Sequence, residues 1–178
     1  HRAYRDWLKT QDPSYEDNPD DSWLIAIPEL HRRMAPGNTC LSALREGDPG
    51  SPERPINNSK GCGGVMRVAP VGLFFGKRDP EYCVECAAEV AAITHGHPLG
   101  YISAGAFAYI VARCAFEVSE KSRHRRRELK RIIDECCAKL PEWFPEHPNA
   151  ARYQAELLQK AMTLAKSDSW SCDNIREI

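Results

Sequence analysis

Apolar positions along the chain fall at helical spacing, broken by short polar runs rich in Pro, Gly, Asn and Asp. Tyr4, Trp7 and Leu8 stand at i, i+3 and i+4, which predicts a helix with one buried stripe over His1 to Lys9. Gln11 to Ser22 reads as a surface loop, and Pro28 starts a short helix through His31-Arg32-Arg33-Met34 that Pro36-Gly37 stops. Asn38 or Thr39 is placed to cap the next helix, with Leu41 and Leu44 inward and Gly47 past its end. Asp48 to Ser59 is a loop expected to be ordered by what it binds.

Val65 to Phe75 is apolar apart from Arg67, which predicts a helix at the centre of the domain. A guanidinium there needs a partner, either a buried carboxylate or a bound pyrophosphate. Asp79-Pro80 marks a fresh start, and Tyr82 to Ile93 carries Cys83, Cys86, Ala87, Val90 and Ala91 along one face. Thr94-His95-Gly96-His97-Pro98 interrupts the pattern before a second apolar helix, Gly100 to Phe116, whose small residues permit close helix contact. Ile132, Ile133, Cys136 and Leu140 then form a stripe behind a charged block at Lys121 to Arg131. Pro141, Pro145 and Pro148 predict a broken connection, and Ala150 to Lys166 a last amphipathic helix. The fold class expected is all-α, an orthogonal multi-helix bundle forming one domain over 1–178.

The chain has 178 residues, with 24 Lys and Arg against 25 Asp and Glu, so no whole-molecule field draws it to nucleic acid or a membrane. The Lys121 to Arg131 block is most simply the wet face of its helix, with a nucleic-acid grip as the alternative. No window is read as a membrane span. Eight cysteines in apolar helical surroundings suit a reduced, cytoplasmic setting better than a disulfide scaffold. Cys83 and Cys86 form a Cys-x-x-Cys pair, but zinc needs two more ligands and the adjacent Cys136-Cys137 is a poor second half.

Candidate chemistry centres on Asn57-Asn58-Ser59-Lys60-Gly61-Cys62-Gly63-Gly64-Val65-Met66-Arg67. Three glycines within four residues let a backbone turn sharply and approach a ligand, and unpaired amides at a helix entry suit a phosphate. Tight helix packing explains the same glycines equally well. The turn lacks the Gly-Lys-Ser/Thr ending of a P-loop. His95 and His97, one residue apart in the hinge, are suited to ligate a metal, exchange protons or donate to a phosphate; cap and surface roles are the plainer alternative. Asp20-Asp21-Ser22 reads as a turn and a cap for Trp23.

Three blocks, Gly37 to Ala43, Asn57 to Pro70 and Ile93 to Tyr101, stand in the order found in the ADP-ribosylglycohydrolase family, and the chain resembles the middle of such a domain. The resemblance implies an all-helical protein that binds ADP-ribose or an ADP-ribosylated substrate and, with two Mg²⁺ ions, cuts the glycosidic bond to the acceptor. By the same match Asn58, Ser59, Lys60, Gly61, Cys62 and Gly63 fall on the loop around the phosphates and ribose, and His95, with His97, on the pocket wall. Cys62 stands where other members often carry Asn. The family's two aspartate motifs for the metals are not matched here, so the expectation is of an internal segment, with no catalytic or metal-binding residue of its own and flanking segments of the same domain as partners. A non-catalytic ADP-ribose or nucleotide module, or a helical interaction domain, is the competing reading.

Overall fold

The computed structural model describes residues 1–15, 23, 25–119 and 123–165. Asp20-Asp21-Ser22, the Lys121-Ser122 end of the charged block and the tail from 166 lie outside the described residues, and so does the end of the predicted last helix. Among the described residues all regular structure is helical. The α-helices are α1 (Arg2–Gln11), α2 (Asn38–Arg45), α3 (Ala69–Phe75), α4 (Tyr82–Ala92), α5 (Pro98–Glu117), α6 (Arg125–Trp143) and α7 (Pro148–Leu164), with single 3₁₀ turns at Pro28–Leu30 and Val65–Arg67.

Helix α5 is the axis of the bundle, packing against α3, α4, α6 and α7. Small side chains dominate the core it shares with α4: Ala87, Ala88, Ala91 and Ala92 on α4 and Ala104, Ala106, Ala108 and Ala112 on α5 are all buried in it. Alanines let two helix backbones come close, so dispersion contacts replace the bulk of larger side chains. Where α3 crosses α5 the approach is closer still, because a Cβ on Gly72 would stand 2.4 Å from the Ala108 carbonyl oxygen. Tyr101, Ile102, Tyr109, Ile132 and Leu140 fill the remaining space of this main core.

Among the described residues α5 is the one helix long and apolar enough to cross a membrane, contrary to the sequence reading, but half of that window is buried inside the protein. Its apolar character is what a helix surrounded by other helices requires. A second, smaller core of Leu8, Leu41 and Leu44 joins α1 to α2, with Tyr4, Trp7 and Ile93 against it.

Three local expectations are corrected. The run Val65 to Phe75 is not one buried helix: a 3₁₀ turn ends at Val68 and α3 begins at Ala69 with Pro70 in its first turn. Proline has no N–H to give and its ring excludes the preceding turn, so the helix must restart there. Met66, Leu73 and Phe74 are exposed, and Val68 and Gly72 carry the burial. Pro141 does not break α6, which continues to Trp143, because in the last turn it forfeits only one backbone bond. Gly37, not Asn38 or Thr39, is the N-cap of α2.

The charged block behaves as a wet helix face. Arg131 bridges Glu117 and Glu135 at 3.3 and 3.2 Å, Lys130 pairs with Asp134, and Arg126 donates to the Ala165 carbonyl at 2.5 Å. Arg113 and Tyr109, both on α5, meet the same Glu135 carboxylate at 3.1 and 3.0 Å and so pin α5 to α6. The seven described cysteines are free thiols. Burial pushes the thiols of Cys83 and Cys136 up to about 12, and Cys83 donates to the Pro80 carbonyl at 2.9 Å.

Replacing Gly72 by alanine places a methyl against an immovable backbone oxygen, and overpacking of this kind costs about 1–3 kcal/mol; urea denaturation will read it as a lower midpoint at unchanged slope. Titration with a thiol reagent will modify the exposed Cys62 in the native protein, whereas Cys83 and Cys136 will react only as it unfolds.

Candidate functional site

The loop from Asn57 to Gly64 and the corner from Thr94 to His97 lie against each other, and Asn57 joins them. Its side-chain nitrogen donates to the Thr94 carbonyl at 3.0 Å, while its side-chain oxygen accepts from the amides of Ser59 and Gly96, each at 3.0 Å. The Ser59 carbonyl then accepts from the His97 amide at 3.2 Å, and the Ser59 hydroxyl from the Gly61 amide at 3.3 Å. At Gly96 no side chain fits, since a Cβ would stand 2.3 Å from the Asn57 carbonyl oxygen.

The two segments expected to converge are therefore adjacent, but not in the manner expected. His95 is only 2% exposed. Its ring lies beneath the glycines: the Cβ position of Gly63 is 2.9 Å from Cε1 and that of Gly61 is 3.5 Å from Nε2. Nδ1 pairs with the Thr94 hydroxyl at 2.8 Å. Burial first, and the nearby charge of Arg67 second, hold the His95 pKa below its ordinary value, so the ring is neutral at physiological pH. His97 is the N-cap of α5, its Nδ1 accepting from the Leu99 amide at 3.1 Å.

Asn58, Lys60 and Cys62 form the exposed rim, and Ser59 and Gly63 lie half-buried within it. The amides of Lys60, Cys62 and Gly63 have no acceptor among the described residues. A 3₁₀ turn of three residues follows the loop, so the amides, and not a helix dipole, make any anion cradle here. Nor does the Asp48 to Ser59 loop wait on a guest for its order. The Gly50 amide donates to the Ile93 carbonyl at 3.4 Å, the Ser51 amide to the Arg54 carbonyl at 3.1 Å, and Asn57 fixes the far end.

Arg67 finds no carboxylate among the described residues. Its guanidinium donates to the carbonyls of Val90 and Ala91 at 2.6 and 3.3 Å, lies over the Tyr4 ring at 4.6 Å and reaches Cys40 Sγ at 3.8 Å. These are the last carbonyls of α4, the negative end of its dipole, which answers a cation as a carboxylate would.

Beside the loop, a depression of about 460 Å³ opens toward α2, lined by Asn38, Thr39, Ser42, Arg45, Asn57 and Ser59 among others. All six carry polar side chains. Asn38, Thr39, Ser42 and Arg45 were not singled out as site residues from the sequence, and Asn57 stood there only as the first residue of the glycine-rich stretch. The signal available was that Asn38 and Thr39, like Asn57, belong to the blocks that carry the family resemblance.

The model of the family described as ADP-ribosylglycohydrolase matches residues 1–177. The chain belongs to the ADP-ribosylglycohydrolase family. Searches of the curated proteins and of the solved structures returned no match. Membership agrees with the all-helical fold and implies an ADP-ribosylated substrate as ligand. The ADP-ribosylglycohydrolase family is metal-dependent, but among the described residues no three His, Cys, Asp or Glu side chains gather in a way that would hold an ion.

Because His95 is held neutral, the unfolded chain takes up a proton at this position before the folded one does. The stability contributed is complete above the ordinary value of 6.5 and is lost as the pH falls below it. Urea midpoints between pH 7.5 and pH 5 will therefore fall with acid, and the fall will be shallower in His95→Gln than in the unsubstituted chain.

Proposed function

We propose that this chain recognises the ADP-ribose unit of an ADP-ribosylated substrate at the depression between α2 and the 57–63 loop. The observation that carries the reading is the Asn57 clamp, which fixes the loop while leaving three of its amides without an acceptor next to a polar cavity. Amides held in place before the ligand arrives bind without the cost of ordering a flexible loop. A diphosphate, which accepts several hydrogen bonds, suits the amides of Lys60, Cys62 and Gly63, and the Lys60 ammonium adds the opposite charge. Asn38, Thr39 and Asn57 offer the neutral donors and acceptors that ribose hydroxyls need.

In this reading the residues divide by depth. Asn58, Ser59, Lys60, Gly61, Cys62 and Gly63 form the contact surface. His95 supports Gly61 and Gly63 from below, and His97 ties Ser59 to the start of α5. Cleavage of the bond at the anomeric carbon passes through a cationic, oxocarbenium-like state that needs carboxylate or equivalent oxygens around it. This loop brings no carboxylate. The chain's own part is to bind and orient, and the predominant activity expected of it alone is binding, in a cytoplasmic setting, with little hydrolysis.

Calorimetric titration with ADP-ribose, with and without Mg²⁺, tests this. One saturable site without metal is expected, and Asn57→Ala, which removes three hydrogen bonds, will weaken it by about tenfold while circular dichroism stays helical. Absence of binding in both conditions overturns the proposal. Release of ADP-ribose from an ADP-ribosylated arginine by this chain with Mg²⁺ would replace it with an enzyme's role.

A further inference from the structure

A groove of about 960 Å³ lies on the side of α4 next to α6, and it shares no residue with the 57–63 loop, His95 or His97. Three of its carboxylates, Glu81, Glu85 and Glu89, stand one helical turn apart along α4, about 6 Å of rise each. Glu53 and Glu146 face them from the 52–53 loop and the α6–α7 connection. Glu81 already has a cation: Lys139 pairs with it, and the same ammonium lies 5.9 Å from the centre of the Trp143 ring. Glu53, Glu85, Glu89 and Glu146 have no cation among the described residues. Their mutual repulsion is felt, because burial first and the charges of Glu85 and Glu53 next push the Glu89 carboxyl up.

A second observation is independent of the carboxylates. Tyr101, in the wall of the groove, is only 1% exposed, and its hydroxyl, which makes no hydrogen bond with any described residue, is not one of the fully enclosed unpaired atoms and so keeps a narrow opening. A phenol so nearly covered normally finds a partner, and here the groove is the side from which one would come. Its ring is set in place edge-on to His147 at 6.0 Å and tilted against Phe144 at 6.4 Å, so the orphan oxygen is held at a fixed point of the groove. Burial, followed by the Glu53 charge, raises the Tyr101 pKa, which keeps the phenol protonated and neutral.

We infer that this groove is a binding site for a linear aliphatic polyamine. Ammonium groups separated by about four methylenes match the one-turn spacing of Glu85 and Glu89. The methylenes lie against Tyr82, Trp143 and Phe144, whose ring faces also attract cations. The Tyr101 oxygen accepts one ammonium N–H. Lys139, between Glu81 and Trp143, shows the same contact made by the protein's own side chain. A compact divalent ion does not suit the site, since no three of these carboxylates gather around one point among the described residues.

The test is calorimetric titration of the whole chain with spermidine at low and at physiological salt, followed by the variants. One saturable site weakened by salt is expected. The double variant Glu85→Gln/Glu89→Gln will weaken it about tenfold or more, and Tyr101→Phe about fivefold, with circular dichroism unchanged. If the double variant does not fold, Tyr101→Phe and the surface change Glu146→Gln carry the test, and each must weaken spermidine. Absence of saturable binding, affinity unaffected by these substitutions, or displacement of spermidine by Mg²⁺ at equal charge overturns the inference. A tetralysine peptide binding more tightly than spermidine overturns it as well, and assigns the groove to a basic protein segment. ADP-ribose affinity is expected to be unchanged by Tyr101→Phe, which separates this site from the loop.

Discussion

One side-chain amide holds the 57–63 loop against the corner between α4 and α5. Asn57 gives its nitrogen to one side of the Thr94 to His97 corner and its oxygen to the amides of both Ser59 and Gly96. An Asp in its place would lose the donor, and a Gln would overreach, so the geometry depends on this residue type. The loop's shape then follows without a helix dipole or a ligand to impose it. The corner it docks on is rigid for a separate reason, since α4 and α5 are pressed together by alanines and the corner is the short link between them.

The neutral state of His95 belongs to the same construction. A charged imidazole under the loop would be desolvated and would face the positive charge of Arg67. Arg67 gives one terminal nitrogen to the end of α4 while its buried Nε has no partner among the described residues, so cation and neutral ring sit near each other without a carboxylate between them. His95 meets the loop through the backbone of Gly61 and Gly63, which lies over its ring.

Much of the fold was legible in the sequence because its signals are local. The stripe over Tyr82 to Ile93, the Pro98 start of α5 and the small residues along α5 each announce themselves within a few positions, and the His95 corner between them is a matter of punctuation. Pro70 also announced the restart of α3, but the apolar run around it was the stronger pattern and masked it. What could not be read was any partner supplied by another segment's backbone. The carbonyls of Val90 and Ala91 carry no sequence signature, so Arg67 was assigned a carboxylate or a ligand. The acidic groove is similarly assembled from four stretches of chain, and its free phenol is visible only once they meet.

The two hydrophobic cores are unequal, and the site lies across them. The floor, formed by the loop and the α4–α5 corner, rests on the main bundle, whereas α2, which supplies Asn38, Thr39 and Arg45, rests on three buried leucines shared with α1. Between the cores run the Arg67 guanidinium over Tyr4, its reach to Cys40, and Ile93. Partial opening of a protein begins where the least apolar surface is covered. Breathing of the small core would thus lift one jaw of the depression while the other stays fixed, giving a bulky guest a way in that does not disturb the bundle.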